Sequence, residues 1–194
     1  EPTETVRATV ADAGARLVDV AEADAVVAVG DAALREAVVA AAEDGDAPVL
    51  PVRVGRRGVD TGRAREAVGR LADGQRDPAN DFERAVHPVL AVDSGTEVPR
   101  RFAAFDVAFV TAEAARISEY TVAFSDGEAA SFRADGAAIA TPLGSHRYVN
   151  AAGAPSVSPG GGLPVVPIAP FTTRADSWVV TDGIGVTVER EAEP

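Results

Sequence analysis

The apolar pattern of this chain changes period once, near residue 80, and that change limits the fold more than any single motif. Before it, helical and strand-like stretches alternate. Residues 5–17 carry apolar groups at helical spacing, 25–29 form a short Val/Ala run suited to a buried parallel strand, and 32–43 are helical again. Residues 47–50 leading into Val52-Arg53-Val54 read as a second strand closed by Gly55, and 63–72 as a third helix with Gly74 in a C-cap position. Strand and helix in alternation predict an α/β half, residues 1–80, with its boundary at Asp77-Pro78-Ala79-Asn80. Beyond it the helical period disappears. Short apolar runs at 88–92, 105–110, 117–124, 129–133, 137–140, 165–168, 178–181 and 186–189 predict a β-rich half, residues 81–194. Asp93-Ser94-Gly95, Ser125-Asp126-Gly127 and Asp135-Gly136 read as turns between strands, and Gly160-Gly161-Gly162 as a mobile loop.

Composition removes several functional classes. At 194 residues with 46% hydrophobic content the chain has material for a real core. Cysteine is absent, so disulfides, thiolate nucleophiles and cysteine-ligated metals are excluded, and two histidines cannot build a zinc site alone. No apolar run approaches the roughly 18 residues of a membrane span, and Glu1-Pro2-Thr3-Glu4 is unlike a signal peptide, so a cytoplasmic protein is expected. Methionine is also absent, which reads as a fragment or a sequence without its start. The net charge of −12 arises from 30 acidic against 18 basic residues, and every basic residue is arginine. A chain rich in alanine and acid and devoid of lysine looks like a protein of a salt-loving organism, in which carboxylates keep the surface hydrated. GC-rich coding would account for the arginine but not for the acid excess. The same charge argues against nucleic acid, which requires a basic footprint.

Two stretches have the residue types for chemistry. Gly30-Asp31 falls between a predicted strand end and a predicted helix start, where open α/β sheets place ligands and unpaired backbone N–H groups attract phosphate; Asp31 as a simple N-cap is the plain alternative. The second stretch runs Asp135-Gly136, a strand, Thr141-Pro142-Leu143-Gly144-Ser145-His146-Arg147-Tyr148, then Ala152-Gly153-Ala154-Pro155. Other candidates are weak. His87 reads as structural, Ser145 has no hydrolase-type histidine arrangement, Trp178 and Phe171 read as core or interface packing, and Arg56-Arg57 as a solvated corner. Asp106 with Asp135 is a conceivable metal pair, with independent solvated carboxylates the more ordinary reading.

The second stretch resembles the signature of the NAD kinase family: an Asp-Gly pair, a strand, Thr-Pro-x-Gly-Ser/Thr-x-x-Tyr, then a Gly-Gly-Pro turn. Colinear with it, residues 25–34 resemble the family's strand and Gly-Gly-Asp-Gly turn, and 52–58 its Asn-Leu-Gly-Arg-x-Gly segment. Residues 101–110 resemble the strand holding its Asn-Glu pair, and Pro167-Ile168-Ala169-Pro170 its Pro-Ile-x-Pro-His motif. The likeness covers roughly residues 24–180. It implies a NAD kinase-like architecture, α/β followed by a β-rich second domain, with the ligand cleft between the halves and the chain shorter than family members at both ends. It also implies ATP with Mg²⁺ as phosphate donor, NAD as substrate and a homo-oligomer.

Carried over residue by residue, the resemblance makes Asp31 the catalytic base and puts Gly30 near the ATP phosphates. Asp106, Asp135, Thr141, Gly144, Ser145, His146 and Tyr148 fall at nucleotide-binding positions; the metal ligands are unassigned. Several positions depart from the pattern. Val29 and Ala32 stand in place of flanking glycines, Asp106-Val107 in place of Asn-Glu, Leu143 in place of a small hydroxyl residue, His146 of threonine, Arg147 of alanine and Phe171 of histidine. Three functions therefore remain open: an ATP-dependent NAD kinase, a catalytically impaired homologue acting as a nucleotide-binding or regulatory protein, and a kinase for another small hydroxylated molecule.

Overall fold

The computed structural model describes residues 2–44, 47–55, 58–72, 85–95, 99–111, 118–172 and 175–189. It divides into two compact units, Glu1–Ala85 and Val86–Pro194. The expected boundary at 77–80, the Gly74 cap and the Arg56-Arg57 corner lie outside the described residues. Among the described residues no helix is long and apolar enough to cross a membrane.

In the first unit α1 (Pro2–Asp12) precedes β1 (Val26–Val29), α2 (Asp31–Asp44), β2 (Val49–Val52) and α3 (Thr61–Ala72). The two valine-rich strands pair in parallel, Val26 opposite Val49 through Val29 opposite Val52, as β-branched residues favour on a buried pleat. Ala28, Leu34, Ala37, Val52, Ala64, Ala67 and Val68 are buried around them, with Val6 and Val10 of α1. α1 ends at Asp12 rather than continuing to Leu17. Gly14, at φ +68°, closes it: Ala15 N–H reaches the Val10 carbonyl and Gly14 N–H that of Ala11, a Schellman cap. β2 likewise stops at Val52, before the expected Val54. Arg53 turns to φ +55° and its N–H bonds Val59, while Val59 N–H bonds Pro51. The returning segment passes so close that a Cβ on Gly58 would lie 2.3 Å from the Val54 backbone nitrogen.

The second unit contains the hairpin β3 (Leu90–Val92) and β4 (Arg101–Ala103), then β5 (Asp106–Val110), β6 (Ser118–Ala123), β7 (Ala129–Ala140), α4 (Tyr148–Ala151), β8 (Leu163–Pro170), β9 (Trp178–Val180) and β10 (Gly185–Glu189). Its main sheet runs β10-β6-β7-β8-β9, with β5 added to β7. β7 is the spine. Alternate residues face opposite layers: Ala138 and Ala140 pack with Val149, Ala154 and Val166, while Ile139 joins Val122, Val165, Phe132 and Trp178. Two strand expectations are corrected here. Residues 129–140 form one strand, so Asp135-Gly136 is strand interior and not a turn, because β5, β6 and β8 all pair along it. Residues 101–110 are two strands, β4 and β5, parted by Ala104-Phe105. Phe171 is 74% exposed and packs no core, whereas Trp178 does, against Phe124 and Phe132.

Candidate functional site

The first unit presents Asp31 as the opening residue of α2, two residues beyond the end of β1, with its side chain on the surface. Gly30 makes this tight strand-to-helix turn at φ +85°, a conformation that costs other residues and not glycine. Its N–H is fixed to the Val52 carbonyl at 2.9 Å, and its carbonyl accepts Leu34 N–H to start the helix. The turn therefore joins both strands to the helix N-terminus, whose remaining N–H groups and dipole favour an anion. Val29 lies within β1 and Ala32 within α2, at negative φ, so the glycines these replace are not needed for this backbone.

The second unit holds the Thr141–Tyr148 segment directly after β7. Thr141 is completely buried; its hydroxyl donates to the Ala104 carbonyl at 2.7 Å and accepts Gly144 N–H at 3.2 Å, while its N–H bonds the Phe105 carbonyl. Gly144 lies flat against the same corner, where a Cβ would meet the Phe105 carbonyl oxygen at 2.1 Å. Ser145, also fully buried, accepts Val157 N–H at 3.0 Å and has its one proton for Pro142 or Val157 carbonyl oxygen. Asn150 closes the following turn by donating to Ala154 at 2.9 Å, around Gly153 at φ +106°. Thr141, Gly144 and Ser145 thus spend their polar capacity internally. They shape the loop, and Leu143 is buried beneath it.

After these come His146 and Arg147, whose Nε2 and Nε atoms are buried, and then Tyr148, which faces outward. Tyr148, first residue of α4, is 50% exposed; His146 and Arg147 are half-buried. The Arg147 guanidinium lies 4.1 Å from the centroid of Phe105 in a cation–π contact. Asp106 follows Phe105 at the start of β5. Burial pushes its carboxyl above the usual carboxylate range, and the Arg147 charge opposes part of that rise. A platform of Phe105, Asp106 and Arg147 therefore stands beside Tyr148. Sequence reasoning did not single out Phe105; its place before the Asp106-Val107 pair was the available signal.

Asp135 is separated from that platform. It is exposed on β7, five residues before Ala140, which pairs with Asp106. At the usual strand rise the two carboxylates are therefore roughly 17 Å apart along the sheet. They cannot share one ion, which removes the metal-pair alternative and leaves two independent carboxylates, and no group of three or more His, Asp or Glu able to hold a metal occurs among the described residues. Gly136 follows because β5 leaves no room: a Cβ there would lie 2.4 Å from the Phe109 carbonyl.

Residues 106–194 match the family model of the ATP-NAD kinase C-terminal domain. The NAD kinase of Symbiobacterium thermophilum is 33% identical over 169 residues, 85% of this chain and 59% of that protein. The chain belongs to the NAD kinase family. A second relative, the NAD kinase of Methanosarcina barkeri, is 36% identical over 88 residues, 45% of this chain and 32% of its own length. The chain spans less than two thirds of either protein. The crystal structure of an NAD kinase from Archaeoglobus fulgidus in complex with ATP has the same fold, with a TM-score of 0.68 at 19% identity, covering 96% of this chain and 76% of that one. The α/β unit and the β-rich unit are thus the NAD kinase architecture, and the Thr141–Ser145 ties belong to its β-rich half.

Proposed function

We propose that this protein binds a nicotinamide dinucleotide and ATP and transfers the γ-phosphoryl group to the adenosine 2′-hydroxyl, giving NADP. The observation that carries the reading is Asp31, held at the N-terminus of α2 by the Gly30 turn, where a carboxylate can take a proton beside a phosphate-binding helix end. In the transfer Asp31 accepts the hydroxyl proton, the 2′-oxygen forms a bond to the γ-phosphorus, and the bond from that phosphorus to the β-bridging oxygen breaks, releasing ADP. Mg²⁺ suits this chemistry when carried on the ATP phosphates, with at most one or two protein carboxylates, since the described residues offer no multi-carboxylate cage. Asp135, Asp106, His146 and Tyr148 are the side chains assigned to the dinucleotide; Thr141, Gly144 and Ser145 act by holding the loop. Homo-oligomerisation belongs to the same reading, and the exposed Phe171 and Val110 of the β-rich unit are apolar groups it would cover.

A specific observation favours a second reading. Arg147 on Phe105 beside Asp106 fills, with charge and bulk, a position where the family pattern has alanine and a neutral amide. A site of that kind suits a ligand other than NAD, or binding without turnover. Calorimetric titration of NAD, NADP and Mg-ATP, with an NADP-formation assay on the same sample, separates the two. NADP production that is lost on Asp31→Asn, by about 10³-fold or more with nucleotide affinity retained, establishes the kinase and its base. Dinucleotide binding without product establishes the second reading.

A further inference from the structure

Asp135 marks the point where β7 changes neighbours. Along one edge β7 pairs with β6 up to Ala134 and with β5 from Gly136 onward. Asp135 falls between the two, and its backbone carbonyl lies within reach of three donor groups, of which the Thr111 hydroxyl has one proton to share between this carbonyl and Ser118 Oγ. Thr111 N–H lies at 3.0 Å, the Thr111 hydroxyl at 3.2 Å and the Tyr120 hydroxyl at 3.3 Å. The Thr111 hydroxyl is itself within 3.2 Å of both Ser118 Oγ and Tyr120 Oη, so the three side chains form one connected network. Tyr120 is completely buried, and its ring stacks on Phe132 at 6.0 Å and 18°.

On the other edge the ladder to β8 passes over this residue. Ala134 pairs with Pro170 and Gly136 with Ile168, and the residue opposite Asp135 is Ala169, at φ +46°. Alanine in the left-handed region costs energy and persists only where its surroundings impose it. The Asp135 carbonyl is thus held from the β5–β6 side, while Gly136, the other half of the same peptide, keeps its pairing with Ile168 and is pressed against the Phe109 carbonyl. The orientation of that peptide sets the direction in which the exposed Asp135 carboxylate leaves the strand.

We propose that Tyr120 is a positioning residue for Asp135, acting with Thr111 through the Asp135 carbonyl to aim its carboxylate at the bound nucleotide. The proposal rests on the reading of Asp135 as a nucleotide ligand. Tyr120 is completely buried, so it acts through the backbone: its hydroxyl holds the Asp135 carbonyl at the point where Asp135 itself has no partner in the β8 register.

Tyr120→Phe removes the hydroxyl and keeps the ring stack, and Thr111→Val removes the second hydroxyl should the first variant fold poorly. Affinity for NAD and NADP is measured by calorimetry on the full chain, alongside Asp135→Ala, Thr111→Ser and the Asp135→Ala/Tyr120→Phe double variant. Expected are losses of about tenfold or more for Asp135→Ala and roughly three- to tenfold for Tyr120→Phe and Thr111→Val. Thr111→Ser retains affinity, and Tyr120→Phe costs nothing further once Asp135 is gone. That non-additivity is what a purely structural tyrosine would not produce. Wild-type affinity in both Tyr120→Phe and Thr111→Val, or additive losses in the double variant, would overturn the positioning role while leaving Asp135 a ligand. An unaltered chain that binds neither nucleotide, or an Asp135→Ala variant with unchanged affinity, overturns the nucleotide-site reading and the proposal with it.

Discussion

Among the residues of the β-rich unit, Asp106 has the charge most at odds with its place. Desolvation raises its carboxyl, with Arg147 offsetting part of the effect, so the folded chain holds this proton more tightly than the unfolded one. Stability from this group is then complete at low pH. It falls as pH rises from the ordinary value of 3.8 through the raised folded value. Asp106→Asn restores a neutral amide and removes that loss. The expected result is a Tm at neutral pH equal to or above wild type, with a shallower decline between mildly acid and neutral pH, measured by thermal melts across that range. A lower Tm at neutral pH would mean that the Arg147 attraction outweighs the cost of burial. Residues 141–145 stood out in the sequence only through their resemblance to the family signature, and their job was not legible. Thr141 is tied to Ala104 and Ser145 to Val157, and such long-range partners leave no local trace. Asp31 was more legible, because strand, glycine, acid and helix are consecutive and the turn that joins them is local.

At the scale of elements, helices and parallel strands were legible for the same reason, that their period is written in a few adjacent residues. Their ends were less so. α1 stops five residues early at a glycine cap, and β2 stops where Arg53 enters the left-handed region. The long β7 was read as two strands because Asp-Gly is a strong turn signal when flanked by apolar alternation. What overrides it is pairing on both edges by strands distant in sequence. The signature glycines acquire a physical reason at this scale: Gly136 and Gly144 both lie against the backbone of residues 105–109, at the Phe109 and Phe105 carbonyls. Gly144→Ala forces a Cβ onto a carbonyl oxygen that cannot yield, because Thr141 binds the same group. The expected cost is about 3 kcal/mol of unfolding free energy by chemical denaturation. Gly30→Ala makes a useful contrast, since space is open there and only the positive φ opposes it, at about 1 kcal/mol.

At the scale of the whole molecule the two units differ in architecture but share an acidic chain of net charge −12 with no lysine. Repulsion among 30 carboxylates opposes the compact state and is relieved by screening. The Arg100–Asp93 pair, at 3.8 Å with both side chains largely exposed, is the weak kind of contact that offsets little of it. Added salt should therefore stabilise the chain, by roughly 2 kcal/mol, or about 4–8 °C in Tm for a chain of this size. The form of the salt dependence identifies its cause. The Debye length is about 10 Å at 0.1 M and 3 Å at 1 M, so a gain from charge screening is nearly complete by about 1 M and nearly the same for sodium and potassium chloride. A gain that continues to climb at several molar, and is larger for sulfate than for chloride, instead reports stronger effective burial of apolar surface. Melting curves in chloride from 0.05 to about 3 M, repeated in sulfate at matched ionic strength, decide between them. A Tm that is flat or falling across the first molar would show that carboxylate repulsion does not limit the stability of this fold.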